Sequence, residues 1–161
     1  ESKIDPEDVV IDFYGRNNGW LRFDIENYGL DNIVRIHGIV PRDIALQNQR
    51  GSQILLLLTW GDPRENGVYT GKIFEYLAAK RPIVALGLNG GVVTDLIQQT
   101  NTGAFASNVD EAKTIILHLY REYKSSGIVS WHGIQSEINK YNHIEMAKMF
   151  AEVFDECHEQ I

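Results

Sequence analysis

Short apolar runs and helix-forming stretches alternate along this 161-residue chain, and that alternation restricts it to one broad class of fold. Residues 9–14, 33–37, 53–60, 83–88 and 102–107 read as strands, and 20–28, 43–49, 70–80, 92–99, 110–124 and 144–158 as helices. Gly15, Gly38, Pro41, Pro82, Gly90-Gly91 and Ser125-Ser126-Gly127 punctuate them. Strands that alternate with helices predict a parallel sheet with right-handed crossovers, because each helix returns the chain to the same edge of the sheet. The run 53–60 holds four consecutive leucines, Leu55 to Leu58. A strand so uniformly apolar is expected at the centre of the sheet, covered on both faces. The expected fold is α/β: a Rossmann-like, doubly wound parallel sheet forming a single domain over residues 1–161. No internal repeat, low-complexity tract or linker divides it.

Charge and composition narrow the function classes. The net charge of −7 argues against general binding to nucleic acid or an anionic membrane, since both require a basic surface to displace counterions. The longest apolar stretch, 54–58, is strand-sized and far short of a bilayer span, so no transmembrane segment is expected. The first eight residues are polar and acidic, without the basic-then-apolar layout of a signal peptide. The chain does not open on Met and is expected to be a piece of something longer. Its single cysteine, Cys157, cannot form an internal disulfide and suits a reducing, cytoplasmic compartment. Cys157 is expected to pack on the apolar face of the last helix. His37, His118, His132, His143 and His158 are scattered without ligand spacing, so no metal site is expected.

In open parallel sheets, ligands bind beyond the carboxyl ends of the strands, where loops lead into helices. The sharpest feature at such a place is the stretch 67–75, Gly-Val-Tyr-Thr-Gly-Lys-Ile-Phe-Glu. It differs from a nucleotide-triphosphate P-loop in two respects. The glycine spacing is one residue short, and Ile73 stands where a magnesium-binding hydroxyl is required. An anion is still favoured there, because a helix N-terminus offers free amide hydrogens and partial positive charge. Thr70 is expected to cap this helix, and Gly71 to allow a ligand close to the backbone. Lys72 would sit in the first turn, where a cation opposes the helix dipole unless an anion accompanies it. The plainer alternative is an i,i+3 ion pair between Lys72 and Glu75 on a solvated face, in the weaker orientation for a helix. Glu75, one turn further on, can accept two hydroxyl hydrogen bonds of the kind a ribose offers. Gly90-Gly91 opens a second helix N-terminus on the same side of the sheet. No G-x-G-x-x-G, G-x-S-x-G, zinc or EF-hand pattern is present.

The segment 55–103 resembles the C-terminal half of GT-B fold, group 1 glycosyltransferases of polysaccharide biosynthesis. The likeness rests on Leu-Leu-Leu-Leu-Thr-Trp at 55–60 and on the run from Tyr69 to Ala85. Its most specific part is Lys-x-x-Glu-Tyr-Leu-Ala-Ala at 72–79. Gly90-Gly91 with Asp95, and Thr102-Gly103, follow in order. Upstream, His37-Gly38-Ile39-Val40-Pro41-Arg42 resembles the family's loop after an earlier strand, so the likeness extends over about 9–123. The resemblance implies a nucleotide-diphosphate sugar as donor, no metal requirement, and membership of a longer, two-domain enzyme. It implies that Lys72 meets the donor diphosphate and Glu75 the ribose hydroxyls. Tyr69, Thr70 and Gly71 would lie near the phosphates or sugar, with Gly91 also on the donor side. Val40 and Arg42, in the loop 39–42, would lie beside the base.

Three departures qualify the likeness. A second glutamate often found eight residues before the ribose-binding one is here Gly67, with Glu65 nearby, so retaining or inverting chemistry stays open. The chain resembles the family only from its second strand onward. The acceptor-binding N-terminal half, with the usual base of inverting members, lies outside it, so the chain is expected to be inactive alone. The full-length protein is expected in the cytoplasm, at the inner face of the membrane. The competing reading is a nucleotide-binding or receiver-like signalling module with no transferase partner. Asp62 would be its acceptor, but Tyr14-Gly15-Arg16 supplies no acid pair. A sugar-phosphate epimerase lacks the needed glutamate–histidine arrangement. Ile144, Ala147, Phe150, Ala151 and Phe154 form a stripe at helical spacing on the last helix. Its simplest fate is packing on its own domain; crossing to the missing half would leave it exposed.

Overall fold

The computed structural model describes residues 4–16, 19–59, 62–87 and 90–159. The chain is α/β with parallel strands, and it clusters into two compact units, Glu1–Gly51 and Ser52–Ile161. No shift of composition marks the boundary at Gly51. In the first unit, β1 (Ile11–Tyr14) pairs in parallel with β2 (Val34–Gly38) through the crossover helix α1 (Gly19–Asn27). Helix α2 (Arg42–Gly51) follows directly after Pro41, a residue suited to the entry of a helix because its φ is already fixed. Among the described residues of this unit only Ile25 is buried, as expected where two strands have too little surface to enclose a core.

The second unit carries β3 (Leu55–Leu58), β4 (Ile83–Leu86) and β5 (Gly103–Ala106), all parallel, in the order β3-β4-β5. Helices α3 (Gly71–Ala79), α4 (Val92–Thr100) and α5 (Val109–Ser126) follow the three strands in turn. The core joins Leu57 to Ile73 and Leu77 of α3, Ile83 and Ala85 of β4, and Val93, Leu96 and Ile97 of α4. The helical members recur at i,i+3 and i,i+4, so one stripe of each helix faces the sheet. Each such side chain contributes roughly 1.5–3 kcal/mol by leaving water. At Gly103 a β-carbon would come within 1.9 Å of the Ile83 carbonyl oxygen, which explains the glycine at the start of β5.

The expectation for the leucine run is corrected here. The strand buried on both faces is β4, with Ile83, Val84 and Ala85 all at 1% exposure or less and Leu86 half-buried. β3 pairs with β4 alone within its sheet; Leu55 and Leu57 are buried, whereas Leu56 and Leu58 are 40% and 56% exposed. Side chains alternate across a strand, so a strand at the end of its sheet buries only alternate leucines, however uniform the run.

Short helix α6 (Gln135–Asn139) had no sequence signal, since five residues are too few to show a helical period. It is fixed by its surroundings: the Ile134 amide donates to the Thr100 carbonyl at 2.7 Å, and Ile138 packs on the core. The last helix, α7 (His143–Glu159), corrects a second expectation. Ile144, Phe150 and Phe154 are 68%, 63% and 72% exposed, and Cys157 is a free, exposed thiol rather than core filler. Phe154→Ala would cost about 3–5 kcal/mol in a packed helix. Here it is expected to cost less than about 0.5 kcal/mol, read from urea unfolding.

Helix α5 begins with a well-formed cap. Asn108 accepts from the amides of Asp110 and Glu111 at 3.1 and 3.0 Å, and Glu111 accepts from the Ser107 amide at 2.8 Å. These bonds from Ser107 hold the Glu111 carboxyl below the ordinary glutamate value. Hydrogen bonds from Ser130 do the same for Glu122. A carboxylate with a lowered folded-state pKa stabilises the fold above its unfolded pKa, and that contribution is lost as pH falls through the folded value. Thermal stability is therefore expected to decline as pH drops below about 4.5, the ordinary glutamate value, with a shallower decline in Glu111→Gln. Calorimetric scans across that range check it.

Candidate functional site

The carboxyl ends of β3 and β4 lead to the N-termini of α3 and α4, and the segment after β3 lies across both. That segment contains a 3-10 turn, Pro63–Glu65, capped by Asp62, which accepts from the Arg64 amide at 3.0 Å. Hydrogen bonds from Arg64 hold the Asp62 carboxyl below its usual range. The acid that a receiver-like module would phosphorylate is therefore engaged in shaping the turn. Trp60, Gly61, Leu88 and Asn89, which belong to the loops marked by the sequence, lie outside the described residues.

Thr70 is the N-cap residue of α3 but makes no side-chain cap, and its Oγ1 is buried without a partner. The expected hydroxyl cap is thus absent, although the backbone at Thr70 (φ −78°, ψ 140°) is the extended conformation usual for an N-cap residue. Gly71 opens the helix, and a β-carbon there would meet no atom of the chain within 4 Å. Lys72 is exposed in the first turn, and no hydrogen bond or ion pair engages it among the described residues. The alternative in which Lys72 pairs with Glu75 is not what forms. Glu75 lies one turn along and raises the pKa of its neighbour Tyr76 after the larger effect of burial. Tyr76 donates its hydroxyl to the Leu56 carbonyl at 3.3 Å, tying α3 to β3. Tyr69 packs against Phe74 and Tyr141, ring centres 5.6 and 6.4 Å away, and burial raises its pKa. Among the described residues the result is a helix end without a side-chain cap, with an unpaired cation beside it and open space at Gly71.

Gly91 is the N-cap residue of α4, at φ 107°, where residues with a β-carbon are strained. The close approach it permits is made by the chain itself. Asn66 presses its carbonyl onto this end and accepts from the Val92 amide at 2.9 Å. Thr70 and Gly91 nonetheless border one small cavity, which Asn66 and Thr94 also line. Thr94 carried no signal in the sequence, as it stands in an otherwise apolar helical stripe. Val40 and Arg42 belong to the first unit, between β2 and α2 and at the first residue of α2.

The first unit holds a cluster that the sequence did not disclose. A register shift between Phe13 and Tyr14 sets Tyr14 opposite Gly38. His37 then stacks on Tyr14 at 4.5 Å and 6°, while its Nε2 lies 2.6 Å from Asp12 Oδ1. Only strand pairing brings these residues together, since 25 positions separate Asp12 from His37.

No protein-family model and no curated protein matches the sequence. Among solved structures, the chain shares its fold with HepE (Alr3699) of Anabaena, crystallised in complex with UDP. The TM-score is 0.67 at 16% identity, over 92% of this chain. The chain corresponds to 41% of the length of that protein. Among the described residues no helix is long and apolar enough to cross a membrane.

Proposed function

We propose that this chain is the nucleotide-sugar-binding half of a glycosyltransferase that moves a sugar from a nucleotide-diphosphate donor to a glycan or lipid-linked acceptor. The observation that carries the reading is the N-terminus of α3. It lacks a side-chain cap, is open at Gly71, and is flanked by Lys72 without a partner among the described residues. A cation placed against a helix dipole with nothing to balance it is mildly unfavourable until an anion arrives. The Lys-x-x-Glu-Tyr-Leu-Ala-Ala block and a fold shared with a protein crystallised with UDP support a nucleotide diphosphate as that anion.

In this reading the amides of Gly71 and Lys72, with the Lys72 side chain, hold the diphosphate, and Glu75 accepts from the ribose hydroxyls; the Ile73 amide is already given to the Thr70 carbonyl at 3.1 Å. Tyr69 and Thr70 lie toward the sugar, and Gly91 borders the same side. Transfer breaks the bond between the anomeric carbon and the diphosphate oxygen and forms one from that carbon to an acceptor hydroxyl oxygen, whose proton passes to a base. Lys72 and the helix dipole stabilise the charge left on the departing phosphate, so the positive charge comes from the chain and no metal is required. The acceptor and a second catalytic group come from the other half of the enzyme, and closure of the two halves excludes water.

Calorimetric titration of the chain with UDP, GDP and their sugar conjugates tests the reading. Binding to one nucleotide class, lost in both Lys72→Ala and Glu75→Ala, is the expected result. Binding that survives both changes would move the site elsewhere.

A further inference from the structure

Between the N-termini of α3 and α4 lies a cavity of about 20 Å³, room for roughly one water-sized group. Two hydroxyls border it without partners. Thr94 is 5% exposed and its Oγ1 makes no hydrogen bond; the Oγ1 of Thr70 is likewise buried and unpaired. Buried hydroxyls left unsatisfied are uncommon and costly, and here two of them share one small space. Helix α4 adds to the demand. Its N-cap is a glycine with no side chain to offer, and its first amide, that of Val92, is taken by Asn66. The arrangement calls for a group that both accepts and donates hydrogen bonds.

Charge decides which kind. No cationic side chain lines the cavity among the described residues, while Glu65 does, and Asp95 stands in the first turn of α4. A carboxylate or phosphate entering there would meet the Glu65 carboxylate with no cationic side chain among the described lining residues to offset it. A neutral hydroxyl escapes that repulsion, and it fits the volume.

We infer that this cavity receives the hydroxyl of the donor's sugar that stands where an acidic sugar carries its carboxylate, with Thr94 and Thr70 as its specificity contacts. The site therefore selects a neutral sugar over an acidic one. This rests on the reading of the α3 N-terminus as the diphosphate site. It assigns the donor's sugar to the α4 side of the segment 62–70 and its diphosphate to the α3 side.

The test compares affinities for UDP, UDP-glucose and UDP-glucuronate, together with GDP and GDP-mannose, in the unaltered chain, Thr94→Val and Thr94→Ser. Valine keeps the shape and removes only an unpaired hydroxyl, so unfolding midpoints should not fall. The unaltered chain should bind a neutral conjugate more tightly than the bare diphosphate, and either more tightly than the glucuronate. Thr94→Val should erase about three- to tenfold of that advantage and leave the bare diphosphate unaffected, while Thr94→Ser retains it. An unchanged ratio in Thr94→Val, or preference for the glucuronate, would overturn the inference while sparing the diphosphate site. It would mean that the cavity holds only water. Failure of every diphosphate to bind would overturn both.

Discussion

Alanine in place of Lys72 is expected to weaken binding of a nucleoside diphosphate roughly ten- to a hundredfold, the worth of a hydrogen bond to a charged group. The fold should be unaffected, because Lys72 is exposed and bonded to nothing among the described residues. Removing a cation from the first turn also relieves its opposition to the helix dipole, so the unfolding midpoint should hold or rise slightly. That opposite pair of signs, affinity down and stability level, separates a ligand contact from a structural lysine. Glu75→Ala should weaken ribonucleotides more than their 2′-deoxy counterparts, since its proposed partners are ribose hydroxyls. Titration calorimetry beside thermal unfolding reads both.

Leu57→Ala is expected to cost about 2–5 kcal/mol, the range for a buried leucine that leaves a cavity, against less than about 0.5 kcal/mol for Leu58→Ala next to it. Leu57 is 2% exposed and packs in the core with Ile73 and Leu77, whereas Leu58 is 56% exposed. For a domain of this size the first loss lowers the melting temperature by roughly 5–20 °C. Equal losses at the two positions would show that both faces of β3 are covered, contrary to the alternation described above.

The order of elements was legible because the 3.6-residue and two-residue periods differ clearly over stretches of this length. Strand and helix boundaries followed from Gly15, Gly38, Pro82 and Gly127. The place of a strand within its sheet was not legible. Leu55 to Leu58 is more apolar than Ile83 to Ala85, yet the second run is the one enclosed, because burial depends on how many neighbours a strand acquires and not on its own composition. The fate of α7 was hidden for the same reason: a stripe at helical spacing shows which face is apolar, not what meets it. At the candidate site, Lys72, Glu75 and the glycines stood out through their spacing around a helix start. Thr94 did not, because a threonine among valines and leucines has the pattern of core until its hydroxyl is found without a partner. The Asp12–His37–Tyr14 cluster depends on a register shift, which no local pattern encodes.

The most direct test of the central claim is an amide-resolved NMR titration of this chain with UDP. The largest shifts are expected on the amides of Gly71 and Lys72, at the open end of α3, and at equal UDP concentration they should shrink sharply in Lys72→Ala. Largest shifts elsewhere in the chain, or identical shifts in the variant, would contradict it.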